Sequence, residues 1–160
     1  MTLNSGDEGH WTWSHSGKNI TDSFWGPNSP NLTAGNTDDC GVMVVDPMQI
    51  WWEDTSCLTT TVQQKKLATV CQHDRGICHG VWEHFEGHCY QFHSNASTWN
   101  DAENDCKSKG GHLASIHSEA ERVFVYNLAG KTDTWVGGSD LAVEASYNLV
   151  FYSLSFEVNL

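Results

Sequence analysis

The chain has 160 residues, room for one domain and a small second one, and its 8 Lys and Arg against 20 Asp and Glu leave a formal net charge of −12. That balance excludes a nucleic-acid partner, which would need clustered cations, and suits a hard cation such as calcium, which takes oxygen ligands. No apolar run reaches the roughly 18 residues of a membrane span, so no membrane span is expected in this chain. The opening stretch, Met1 to His10, lacks the basic and apolar regions of a secretory signal, so a signal peptide is read as absent from this sequence.

In chain order, His10–Ser14 alternates as a strand does, and residues 15–39 read as a long polar loop carrying two of the three prolines. Residues 41–45 and 49–54 read as two strands, and 66–72 as a third. Residues 69–80 then bring Cys71, His73, Cys78 and His79 together in the manner of a small metal knuckle. Residues 81–92 form two aromatic-rich runs around Glu86-Gly87, a hairpin signal. Residues 97–111 are helical: Trp99, Ala102 and Cys106 share one face, Ser97 or Thr98 can cap the start, and Gly110-Gly111 ends it. A short strand follows, then a helix opened by a Ser118/Glu121 capping box, with Ala120, Phe124 and Leu128 as its apolar face and Gly130 as its stop. Residues 133–138 read as a strand.

Six cysteines, spread along the chain and even in number, point to an oxidising compartment. Three N-glycosylation sequons agree with that: Asn19-Ile20-Thr21, Asn31-Leu32-Thr33 and Asn95-Ala96-Ser97. An extracellular chain, secreted or a receptor ectodomain, is expected. No Ser-His-Asp order, phosphate loop or His-Glu-x-x-His helix is present. The adjacent Glu53 and Asp54 point to opposite faces of their strand, which does not suit paired acid-base catalysis, so the chain is not read as an enzyme.

Residues 78–146, with "GHCYQF", "TWNDAENDCKSKGGHLASIHSEAERVF" and "TWVGG", resemble the N-terminal half of a C-type lectin-like domain. Residues 1–73, with "GDEGHWTWSHSG", "FWGPNSPN", "DDC", "WWEDTSC" and "VCQ", resemble its C-terminal half. The halves stand in reversed order, joined by a linker at 74–77 and followed by a divergent tail at 147–160. Two accounts fit: a fragment of a tandem-lectin-domain receptor, or one circularly permuted domain, since domain termini often lie close together. A domain-swapped dimer is a further way for the halves to close. The tail alternates at Leu154, Phe156, Val158 and Leu160, which fits an edge strand or, equally, non-native sequence from a mispredicted exon boundary.

The resemblance implies an α+β fold with two helices, a small antiparallel sheet and a long loop, stapled by Cys40–Cys57, Cys71–Cys106 and Cys78–Cys89. The middle bridge would tie the two halves, worth roughly 3–4 kcal/mol in the chain-entropy model. Zinc at 71–79 is disfavoured, because Cys71 and Cys78 would have to remain free thiolates, and His73 and His79 become solvated linker residues. The family's sugar-binding members hold calcium in the loop. The positions here are Ser29, Asn31, Asp38, Glu53 and Asp54, with Pro30 as the family's cis proline. Ser29 stands where the family has Glu or Gln, and Glu53 where it has Asn, so the sugar code is open. Asn31 is also a sequon. The resemblance therefore implies calcium-dependent binding of a carbohydrate or glycoprotein ligand, with a calcium-independent protein-interaction module as the alternative. Trp11, Trp13, Trp51, Trp52, Trp99 and Trp135 are expected in the core, and Trp25 under the binding surface.

Overall fold

The computed structural model describes residues 9–21, 24–33, 37–74 and 76–141. The tail expected at 147–160 and residues 1–8 lie outside the described residues. The elements in chain order are β1 (Thr12–Trp13), β2 (Cys40–Asp46), β3 (Gln49–Thr55), β4 (Thr61–Val62), β5 (Lys65–Lys66), β6 (Ala68–His73), β7 (Glu83–Phe85), β8 (His88–His93), α1 (Trp99–Ser108), β9 (His112–Leu113), α2 (Glu119–Leu128) and β10 (Thr134–Ser139). The fold is α+β with two helices, as the resemblance implies, but the sheet is mixed rather than wholly antiparallel, because β10 runs parallel to β6.

The main sheet runs β3-β2-β10-β6-β8-β7, with β1 also paired to β10 and β9 to β6. Its order interleaves the chain. The late strand β10 lies between the early strands β2, antiparallel, and β6, parallel, and β6 pairs antiparallel with β8. Three disulfides are present: Cys40–Cys57, Cys71–Cys106 and Cys78–Cys89. Cys71–Cys106 ties β6 to α1. Further contacts join early to late residues, among them the Trp99 amide donating to the Cys57 carbonyl at 3.0 Å and the Val45 amide donating to the buried Asp133 carboxylate at 2.8 Å. Burial pushes the Asp133 carboxyl up, against the lowering effect of the Val45 amide and the Lys65 charge.

Both faces of the central strands are buried, as period-2 alternation requires. On β2, Val42 and Val44 pack into the cluster that holds Trp99, Ala102 and Cys106 of α1. Met43 joins the second cluster, with Trp13, Trp52, Tyr90 and Val125 of α2. Burying each large apolar side chain contributes about 1.5–3 kcal/mol. Trp11, Trp13, Trp52, Trp99 and Trp135 are buried; Trp51 is only half-buried, at the sheet's β3 edge.

Helix α1 has the expected face, Trp99, Ala102 and Cys106, and Thr98 is its N-cap, accepting from the Asp101 amide. Glu103 joins that face because its carboxylate is satisfied there by the Leu113 amide at 2.9 Å and the His112 ring at 2.7 Å. Helix α2 is rotated from the expected face. Ala120 is exposed, and Glu121 and Val125 are the buried residues, with Phe124 and Leu128 half-buried. The inward Glu121 is paired: it accepts from the His117 amide at 2.6 Å and from the Tyr90 hydroxyl. The Ser118 hydroxyl accepts from the Glu121 amide as a cap should. The return bond of the box goes to His117, one residue before the position expected.

Candidate ligand-binding face

Residues 24–33 form the loop that carries the first two candidate ligands. The loop is strapped to β3: the Trp52 amide donates to the Phe24 carbonyl at 2.7 Å, and the Gly26 amide donates to the Trp52 carbonyl at 2.8 Å. Trp25 packs edge-on against Trp11 and Trp52, with ring centroids 4.7 and 5.8 Å apart. Gly26 is required at its position, because a Cβ there would fall 2.2 Å from Cδ1 of Trp51. The chain then turns at Asn28, with φ 66°, and the Ser29 amide donates to the Gly26 carbonyl at 3.2 Å. The Ser29–Pro30 peptide is cis.

This turn delivers Asn31 to the end of β3. The Asn31 amide donates to Oδ2 of Asp54 at 2.7 Å. The Asn31 side-chain oxygen accepts from the Thr33 amide at 3.1 Å and from the Thr33 hydroxyl at 2.7 Å, an Asx turn. Asp38 arrives from the other side. It lies two residues before Cys40, which pairs with Thr55 across the β2–β3 ladder and is bridged to Cys57. Burial pushes the Asp38 carboxyl above its ordinary range, and the Asp54 charge pushes it further, while the Ser56 amide opposes both. Asp38, Asp54 and Asn31 are thus brought to one edge.

Glu53 is held apart from that edge. Its Oε1 accepts from Nε1 of Trp51 at 2.8 Å and from Nε2 of Gln63 at 3.3 Å. Trp51 and Glu53 share one face of β3, and Asp54 lies on the other. Among the described residues, Asp38, Glu53 and Asp54 do not bring one oxygen each within 4.8 Å of one another. Two carboxylates on one edge fit part of the oxygen shell of a hard cation, and the Asn31 oxygen and Glu53 would each have to leave their present partners to complete it. Gln63 was not legible in the sequence, because it reaches Glu53 through a tight turn in which both Gln63 and Gln64 have positive φ.

The knuckle at 69–80 has no free thiolate, since Cys71 and Cys78 are both in disulfides. Cys71, His93 and Asp105 lie within 4.8 Å of one another, but the Cys71 sulfur is bridged and cannot ligate. His79 is exposed as expected; His73 is instead part of β6, half-buried, with its ring 4.4 Å from that of Trp82.

Where β6 leaves the sheet, Asp74 accepts one hydrogen bond on each oxygen, from His15 and from His88, both at 2.9 Å. Burial raises the Asp74 carboxyl, but the two histidine contacts outweigh it and hold it below the ordinary range. The His112 ring lies 4.4 Å from that of His15. No helix among the described residues is long and apolar enough to cross a membrane.

Residues 95–150 match the family described as Lectin C-type domain. Among curated proteins, the chain is similar to the galactose-specific lectin nattectin of Thalassophryne nattereri, at 35% identity over 50% of this chain and 54% of that protein. It is similar to the alpha subunit of the snaclec bitiscetin of Bitis arietans, at 42% identity over 39% and 53%. It is also similar to C-type mannose receptor 2 of Mus musculus, at 28% identity over 87% of this chain and 10% of the receptor. The chain thus spans between about a tenth and about half of the length of these relatives. No solved structure matches it at a significant level.

Proposed function

We propose, for a chain that belongs to the C-type lectin-like domain family, that it is an extracellular recognition module and not an enzyme. Its long-loop face binds a carbohydrate or glycoprotein ligand through a calcium ion. The observation that supports this reading is the Asp38–Asp54 pair, two carboxylates on one edge, with Asp38 raised first by burial and then by the Asp54 charge. A cation between them relieves that repulsion. Asp38, Asp54 and Asn31 hold the ion, and Ser29 and Glu53 line its rim. Bound calcium supplies coordination positions to neighbouring sugar hydroxyls. Glu53 accepts hydrogen bonds from those hydroxyls once it releases Trp51.

Residues 1–73 and 78–146, joined by 74–77, act as the two halves of one permuted domain. The place of β10 between β2 and β6 supports closure of the halves, and the Cys71–Cys106 bridge supports closure within one chain rather than by swapping. The match to C-type mannose receptor 2 runs along 151 residues, which supports an origin for this order in a longer receptor chain.

The second reading is a calcium-independent protein-interaction module. It is favoured by two observations: Glu53 is engaged by Trp51 and Gln63, and the Asn31 oxygen by Thr33. Retention of the unglycosylated chain on mannose and galactose resins in calcium, with release by EDTA, separates the two. Release on one resin supports the calcium-bridged reading. Passage through both resins, together with EDTA-insensitive capture of a glycan-free protein ligand, would sink it.

A further inference from the structure

We infer that Asn31 is an N-glycosylation site whose glycan covers the Asp38–Asp54 carboxylates and closes the ligand face. Three sequons are present, and the asparagines of all three are exposed. They differ in their surroundings. The Asn19 side chain is engaged by the His10 ring at 2.8 Å, and its backbone bridges to Thr12. Asn95 lies in the exposed stretch before the cap of α1. Asn31 alone of the three has its own backbone N–H on a carboxylate of the candidate site, Asp54 at 2.7 Å.

The sequon at Asn31 is already folded as an Asx turn. Its side-chain oxygen meets both the amide and the hydroxyl of Thr33, the residue that makes the sequence an acceptor. Residues 31–33 are all exposed, and Leu32 is 62% exposed. The donor is a polyprenyl diphosphate-linked oligosaccharide of the secretory pathway. Nδ2 of Asn31 forms a bond to the anomeric carbon of the first sugar. The bond from that carbon to the diphosphate oxygen breaks, the diphosphate leaves with the electron pair, and the amide gives up one proton to the base that accepts it. No oxidation or reduction is involved.

The amide oxygen of Asn31 survives this reaction, but a pyranose ring now stands beside it. Because the same residue's backbone is bonded to Asp54, that ring begins close to the Asp54 carboxylate. A sugar bound there would meet it. The chain would therefore exist in two forms, an open face without the glycan and a masked face with it. The consequence for ligands rests on the calcium and sugar reading above; the modification itself does not.

The test secretes the full chain from a eukaryotic host beside Thr33→Ala, which removes the sequon but keeps Asn31, and Thr33→Ser, which keeps both. Peptide mapping by mass spectrometry reads occupancy. Carbodiimide-driven coupling of a small amine reads access to Asp38 and Asp54. The expected result is a glycan on Asn31 in the wild type and Thr33→Ser, and coupling at Asp54 several-fold slower in these than in Thr33→Ala. An unmodified Asn31 in a chain modified at Asn19 or Asn95 overturns the assignment, and equal coupling in all three proteins overturns the masking. Retention on the sugar resins should appear in Thr33→Ala and be lost in the glycosylated forms. If no form is retained while Asn31 is occupied and Asp54 shielded, the sugar reading fails and the glycan assignment stands.

Discussion

Two carboxylate centres in this molecule are treated in opposite ways. Just past the end of β6, Asp74 receives a histidine on each oxygen and is held below its ordinary range. On the loop face, Asp38 has Asp54 for a neighbour and is held above it. Asp74 meets its counter-groups in His15 and His88, which ties three separate stretches of the chain together. The loop face sets Asp54 beside Asp38, and that repulsion costs stability that a cation would offset. The disulfides show the same division of labour: Cys71–Cys106 joins early to late residues, whereas Cys40–Cys57 secures the strand ends that flank the carboxylates.

The largest expected effect comes from removing the Cys71–Cys106 bridge. Replacing Cys71 and Cys106 together by serine should cost roughly 3–4 kcal/mol, read as a lower denaturant midpoint. A far smaller loss would mean that other contacts hold β6 to α1. Next comes Asp54→Asn. Saturating calcium should stabilise the wild type by about 2.7 kcal/mol at a hundredfold excess over Kd, and most of that increment should vanish in the variant. Equal thermal shifts in the two proteins would remove Asp54 from the ion.

Asp74→Asn should cost about 0.5–1 kcal/mol at neutral pH, the scale of exposed ion pairs. The sign follows from the lowered carboxyl: its contribution is present above the unfolded pKa and lost as pH falls through the folded one. Acid unfolding of the variant should therefore be less steep than that of the wild type, and identical acid limbs would count against the histidine clasp. The smallest effect is Asp38→Asn without calcium, within about 0.5 kcal/mol and stabilising. Here the carboxyl is raised, so the wild type should gain stability as pH falls through its folded pKa, and the variant should not. A clear destabilisation by Asp38→Asn in EDTA would mean that the pair is not repulsive.

Much of the fold was legible in the residues. Periodicity found α1, because Trp99, Ala102 and Cys106 are apolar at helical spacing, and the resemblance supplied the cysteine pairs. It failed where a polar group is buried with partners. Glu121 takes the inward place expected of Ala120 because Tyr90 and the His117 amide, remote or unpatterned in the sequence, satisfy it. Composition makes His73 a linker residue, because the ring of Trp82 that covers it leaves no local signal. The family pattern places the candidate ligands by position along the chain, and such a pattern says which residue stands near the loop, not where its side chain turns. The engagement of Glu53 by Trp51 and Gln63 depends on which face of β3 it occupies and on a turn ten residues away. The Asp74 clasp joins residues 15, 74 and 88, too far apart for any local signal.

Calorimetric titration of calcium into the metal-free, unglycosylated chain, beside the Asp38→Asn/Asp54→Asn double variant, tests the central claim most directly. The account expects saturable uptake by the wild type that is lost in the variant. No uptake by the wild type, or equal uptake by both proteins, would contradict it.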